Sequence, residues 1–310
     1  MRIIFMGTPE FAIDSLEILL KSKHEVLAVV TVADKPAGRG KQLRASPIKI
    51  FAEANGLPVF QPKKLRDPEF IVAMDEFAPD LMVVVAFRML PKVIWSIPKY
   101  GTLNLHAALL PDYRGAAPIN WVLINGERTT GLTTFVIDEQ IDTGSMLLSQ
   151  KVAIPYGWNA GDLHDAMKVM GANLILQTVN GLETNSLTAI PQNDALSIHP
   201  APKIKKEDCK IDWNRDAESL YNFIRGLSPY PTSWTLWHEK PVKIFEVAVA
   251  EHLETQATGS LQAIDGKLYC HCGQGVLEIK ALQMPGKKRM AAADFLRGFK
   301  GDLDRWGEPR

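Results

Sequence analysis

The chain has 310 residues, more than a single domain core usually contains, so two domains are expected. Hydrophobic residues at 46% and charged residues at 23% are ordinary for a soluble globular protein, and 35 Lys+Arg against 35 Asp+Glu leaves any nucleic-acid contact to a local basic patch. Three cysteines, an odd number, argue against a disulfide framework, and no apolar run reaches leader or membrane-span length, so a cytoplasmic location is expected.

In chain order, an apolar strand over 3–6 ends at Gly7-Thr8-Pro9. Phe11, Ala12, Leu16, Leu19 and Leu20 then recur at helical spacing, which makes a βα unit with proline in the first helical turn. The tight turn lacks both G-x-G-x-x-G and G-x-x-x-x-G-K-[ST], so it carries no dinucleotide or P-loop signature. After a strand at 26–32 comes a Gly/Pro-rich basic segment. Between positions 35 and 49 it holds five Lys/Arg and no acid, and no regular structure is expected there. Either it is a solvated loop, or Lys35, Arg39, Lys41 and Arg44 meet phosphate or bases. A helix over 47–54 capped by Ser46, a strand at 58–60, a helix at 68–77 and a buried strand at 81–86 complete an alternating βα pattern. That pattern means a doubly wound sheet, with ligands bound at the carboxyl ends of its strands.

The most informative stretch is Asn104-Leu-His106-Ala-Ala-Leu109-Leu110-Pro111-Asp-Tyr-Arg114-Gly115-Ala-Ala-Pro118. On a strand, Asn104 and His106 project from one face, and Pro111 breaks the strand where a crevice would open. Asp142, in Ile141-Asp142-Thr143-Gly144, lies 36 residues beyond His106 after another apolar run, from which it could return to the same end of the sheet. An amide that stabilises an oxyanion, an imidazole that moves a proton and a carboxylate that orients it form a set suited to acyl transfer.

A helix at 119–124, strands at 131–137 and 146–154 and an amphipathic helix at 162–180 follow. From 181 to 202 periodicity fails, as in a linker. Beyond it, short alternating runs at 234–236, 242–250, 259–264, 267–272 and 276–282 suggest a small antiparallel barrel of OB type. Basic content there is modest: Lys203, Lys205, Lys206 and Lys210 in the linker, and Lys280, Lys287, Lys288 and Arg289 near the last strand. Cys270-His271-Cys272 has neither a second pair nor structural zinc spacing, so no metal is expected.

Asn-x-His, Leu-Leu-Pro, Arg-Gly-Ala-Ala-Pro and Asp-Thr-Gly, in this order, resemble the signature of the folate-dependent formyltransferases. Pro36-Ala-Gly-Arg-Gly-Lys41 and the C-terminal Ile211-Asp212-Trp213, Arg225-Gly226 and Pro229-Tyr230-Pro231 are similar to the branch that acts on tRNA. The resemblance implies an N-terminal Rossmann-like catalytic domain over 1–182, a linker over 183–205 and an OB-like tRNA-binding domain over 206–310. It implies 10-formyltetrahydrofolate as formyl donor, initiator methionyl-tRNA as acceptor, no metal in the chemistry, and a monomer. Asn104, His106 and Asp142 would be catalytic. Phe87, Arg88, Met89 and Leu90, then Leu109, Leu110 and Pro111, then Ile137, Asp138 and Glu139 would hold the folate. The basic loop would reach the acceptor end of the tRNA. Relatives in this family often carry Ser where this chain has Ala108.

Related readings share part of this pattern. A formyltransferase acting on an amino-sugar nucleotide would share the three catalytic residues but differ in the basic loop, and a formyltetrahydrofolate hydrolase would leave that loop without a purpose. A dinucleotide oxidoreductase is disfavoured by the missing glycine fingerprint, and in a non-catalytic RNA-binding protein His106 would be dispensable.

Overall fold

The computed structural model describes residues 1–37 and 42–307. Contacts divide the chain into two compact units. The first holds 1–115, 129–153 and 164–200; the second holds 116–128, 154–163 and 201–310.

The first unit is built on β1 (Arg2–Gly7), α1 (Ile13–Leu20), β2 (Glu25–Val30), the hairpin β3 (Lys35–Ala37) and β4 (Gln42–Arg44), α2 (Pro47–Ala54), β5 (Val59–Phe60), α3 (Pro68–Glu76), β6 (Leu81–Val85), α4 (Lys92–Trp95) and β7 (Thr102–His106). Local chemistry sets the helix starts. The Ser46 hydroxyl accepts from Lys49 N and the Asp67 carboxylate from Glu69 N, each with proline in the first turn. All five residues of β6 are buried, as expected of a parallel strand covered on both faces.

The expectation of no regular structure in the basic segment is corrected at its ends. Lys35–Ala37 pairs antiparallel with Gln42–Arg44, Lys35 opposite Arg44, because backbone pairing needs no apolar periodicity. Arg39 and Lys41 lie outside the described residues.

After α5 (Pro118–Ile124) come β8 (Thr129–Val136), β9 (Met146–Ala153) and α6 (Ala160–Glu183). The sheet order is β5-β2-β1-β6-β7-β8-β9. The first five strands pair in parallel, whereas β8 pairs antiparallel with β7, and β9 antiparallel with β8, at one edge. Parallel pairing aligns the carboxyl ends of β1, β6 and β7, so the loops after them open on one edge of the sheet. Among the described residues no helix is long and apolar enough to cross a membrane.

The second unit holds α5 and α7 (Ala217–Leu227), followed by β10 (Ser233–Trp237), β11 (Lys240–Ala250), β12 (Leu261–Ile264), β13 (Lys267–His271), β14 (Val276–Gln283), β15 (Met290–Ala291) and α8 (Ala292–Gly298). Asp216 caps α7 by accepting from Ser219 N. The two helices approach closely at Gly226, whose carbonyl accepts from Asn120 Nδ2 at 2.7 Å; a methyl there would meet Ile124 at 2.7 Å. That explains the glycine of Arg225-Gly226. The strands form an antiparallel sheet ordered β10-β11-β14-β13-β12, with β15 on β14. Trp213, its indole N–H on Thr235 Oγ1, and Trp306 lie in its core.

Candidate active site

The site is organised by β7. In the sheet Asn104 pairs with Val84 and Phe135, and His106 with Thr133. The alternation expected from the sequence therefore holds, and the two polar side chains share a face. Asn104 is half-buried, and among the described residues its amide finds no hydrogen-bond partner. An amide in that state is available to a substrate oxygen.

His106 is 5% exposed. Its Nε2 lies 2.8 Å from the Tyr113 carbonyl. A carbonyl can only accept, so Nε2 carries the proton and Nδ1 of the neutral ring is the free base. Tyr113 reaches this position in the left-handed region, at φ 56°, which costs a bulky residue about 1–2 kcal/mol. Several contacts hold it there. Tyr113 N donates to His199 O at 2.8 Å, and its ring stacks on the His199 imidazole at 5.1 Å. Asp112 in turn accepts from His199 N and from His199 Nδ1.

Asp142 also sits at φ 56°. Its Oδ2 accepts from Gly115 N at 2.9 Å and lies 3.7 Å from His106 Nδ1. That separation is an ion-pair distance, longer than a hydrogen bond. The carboxylate thus faces the ring without a direct hydrogen bond to it. Burial pushes the pKa of His106 below its ordinary value of about 6.5. The Asp142 charge and the Tyr113 carbonyl pull it up, Arg114 adds to the lowering, and burial dominates. The resting ring is neutral.

Asp142 does not arrive on the carboxyl end of a strand parallel to β7. Because β8 is antiparallel, Val136 stands beside Leu103. The chain leaves the sheet near the start of β7 and folds back to bring Asp142 to His106. Gly144 makes that fold possible, since a Cβ there would lie 1.7 Å from the Val136 carbonyl oxygen.

The expected folate-holding residues divide. Leu90 is buried in an apolar cluster, with Phe87 and Ile137 packed against it. Met89 is 68% exposed, as is Ile141 at 59%, leaving apolar surface for a flat ring system. The Arg88 guanidinium turns away, donating to the carbonyls of Pro62 and Lys63, so only its backbone is available. Leu109 packs against Gly131 of β8, where a Cβ would sit 2.3 Å from its side chain. Leu110 and Pro111 are buried, and Leu110 N donates to Thr133 Oγ1, which itself donates to Ala108 O. The Asp138 carboxylate caps its own loop through Gln140 N and Thr143 Oγ1. Glu139 pairs with Lys92 at the surface.

Of the basic residues, Lys35 and Arg44 are exposed and cross-strand neighbours. Lys49 is engaged by Asp34 and Gln61 and leaves the free set. Lys205, Lys206, Lys287 and Lys288 are all exposed in the second unit. All three cysteines are buried; burial pushes the Cys272 thiol up to about 12, so it is no nucleophile near neutral pH. His271 accepts from Gln256 N on Nδ1 and therefore donates from Nε2 to Gln262. Sequence reasoning passed over Arg114, Gln192 and His199 as parts of the site. Arg114 stands in the quoted Arg-Gly-Ala-Ala-Pro run, while the other two lie in a stretch without periodicity.

Residues 1–179 match the Formyl transferase family and residues 203–300 its C-terminal domain. The chain is 45% identical over 303 residues to a methionyl-tRNA formyltransferase of Flavobacterium johnsoniae, covering 96% of each. It is 46% identical over 303 residues to one of Citrifermentans bemidjiense, covering 97% of this chain and 94% of that one. Among solved structures it is similar to HypX of Aquifex aeolicus in complex with tetrahydrofolic acid, at 19% identity and a TM-score of 0.66 over 97% of this chain. The chain spans only 48% of that larger protein, and the likeness is one of fold.

Proposed function

The chain belongs to the formyl transferase family, and from that membership we infer that it transfers the formyl group of 10-formyltetrahydrofolate to the α-amine of methionyl-tRNA for translation initiation. The observation that carries the chemistry is the pairing, on one strand face, of an Asn104 amide with no hydrogen-bond partner among the described residues and a neutral His106 whose Nδ1 lies 3.7 Å from the Asp142 carboxylate.

10-Formyltetrahydrofolate supplies the one-carbon unit at the formyl oxidation level. Apolar packing of Phe87, Leu90 and Ile137, with the exposed Met89 and Ile141, suits a fused-ring substrate, and backbone groups of the same loops suit its polar edge. The Asn104 amide donates to the formyl oxygen as the amine adds and the C=O electron pair moves onto that oxygen. His106 Nδ1 takes the proton released by the amine. The resulting imidazolium lies between the Tyr113 carbonyl and the Asp142 carboxylate, both of which favour the charged ring. The same proton then goes to the departing nitrogen as the C–N bond to the donor breaks. The exposed Lys35, Arg44, Lys205, Lys206, Lys287 and Lys288 are suited to tRNA phosphates, with initiator methionyl-tRNA as the acceptor.

Purified protein with both substrates should yield formylmethionyl-tRNA. Asn104→Ala should lower kcat by about two to three orders of magnitude, the usual loss of one oxyanion donor, with little change in KM for tRNA. Consumption of the folate without a tRNA product would move the acceptor to water or an amino sugar.

The pH profile tests His106. The neutral ring is the active form, and its pKa is lowered. Therefore kcat/KM should fall on the acid side through an inflection below about 6.5 and be flat in this group above it. Asp142→Asn removes a charge that raises that pKa, so the inflection should move further toward acid. A limb that stays put would assign the titration to another group.

A further inference from the structure

The stretch from 183 to 200 lacks periodicity, yet it is hydrogen-bonded onto the first unit at several points. Met146 and Ile190 exchange both backbone bonds, and His199 supports Tyr113. Between these anchors stands Gln192, whose side chain uses both ends of its amide. Nε2 donates to the Asp142 carbonyl at 2.9 Å and to the Gly144 carbonyl at 2.8 Å. Oε1 accepts from Arg114 Nε at 3.1 Å and from Arg114 Nη2 at 2.6 Å. The two carbonyls flank the turn that carries the Asp142 carboxylate. Arg114 immediately precedes Gly115, whose N–H holds that carboxylate from the other side.

One side chain therefore joins the two loops that meet on His106. The turn needs such a tie: it rests on a left-handed Asp142 and on Gly144 pressed against Val136 O, and a sparsely populated backbone persists only where its surroundings over-determine it. Glutamine suits the position because it alone combines a two-proton donor with an acceptor on a stem of this length. Glutamate would keep the bond from Arg114 but could donate to neither carbonyl. Leucine would fill the space with no polar atoms.

We infer that Gln192 is a positioning residue for formyl transfer, setting where the Asp142 carboxylate stands relative to His106 Nδ1. This role presupposes that Asp142 acts on His106 in the reaction.

The test is a double-mutant cycle in the formylation assay with 10-formyltetrahydrofolate and methionyl-tRNA, using Gln192→Leu, Asp142→Asn and the double variant. A displacement of about 1 Å at a catalytic group typically costs on the order of 100-fold. Gln192→Leu should accordingly lower kcat about 10- to 100-fold, with KM for methionyl-tRNA within about threefold. The double variant should be no slower than Asp142→Asn alone, because a residue acting only through Asp142 has nothing left to position. Gln192→Glu should be as slow as Gln192→Leu, and amide exchange across 138–145 should quicken in both. Multiplying losses in the double variant, wild-type kcat in Gln192→Leu, or full activity in Gln192→Glu would each overturn the role of Gln192 while leaving the formylation reading intact. A wild-type protein that forms no formylmethionyl-tRNA would overturn both.

Discussion

His106→Ala is expected to lower kcat by about two to four orders of magnitude, the range contributed by a positioned acid–base group. The ring is nearly fully buried, and it hydrogen-bonds to the Tyr113 carbonyl. Its removal therefore has a structural cost as well, about 1–3 kcal/mol for a carbonyl left without its donor. Two readouts separate the effects. A denaturant midpoint gives the stability change, and the pH profile identifies the chemistry: whatever rate remains in His106→Ala should have lost the acid limb, whereas a merely loosened site would keep it. A variant with wild-type kcat would remove His106 from the reaction.

Gly144→Ala should be nearly as damaging, for a different reason. No polar group is lost, but the added Cβ would overlap the Val136 carbonyl oxygen at 1.7 Å. Both atoms are tied to backbone, and Val136 is held by β7 on one side, so the turn carrying Asp142 has to move. A shift of about 1 Å is enough to cost on the order of 100-fold in kcat, and KM for the folate should rise as well, since Ile137 and Ile141 belong to the same loop. Gly298→Ala is the control: nothing lies within 4 Å of a Cβ there, and a helix end tolerates alanine. Kinetics and thermal midpoints of the two variants should diverge, with only Gly144→Ala losing activity. Equal activity in both would mean that the turn carrying Asp142 adapts freely.

Much of this was legible in one dimension. The alternation of Asn104 and His106 requires only the period of a strand. The caps at Ser46 and Asp67 require only side-chain oxygens ahead of proline-led helices. The buried run at 81–85 requires only that a parallel strand be covered on both faces. The motif order carried the family, because those residues lie close in sequence.

The rest depends on which distant groups the backbone brings together, and no local periodicity encodes that. The parallel pairing of β6 with β7 and the antiparallel pairing of β7 with β8 are both compatible with the same apolar runs. Only the folded sheet makes the chain double back to deliver Asp142. The tautomer of His106 is settled by a carbonyl seven residues away, presented by a left-handed Tyr113. The Arg88 side chain turns to the carbonyls of Pro62 and Lys63, 26 and 25 residues earlier in the chain. Gln192 looked like linker and tied down the turn at Asp142. Sequence by itself determined the strands of the main sheet and the helix starts, since these follow from local sterics and spacing, but not the hairpin at Lys35–Arg44. Tertiary structure alone decided which nitrogen of His106 is free, how far Asp142 stands from it and what holds both in place, since hydrogen bonds between segments far apart in sequence exist only once the chain has closed on itself.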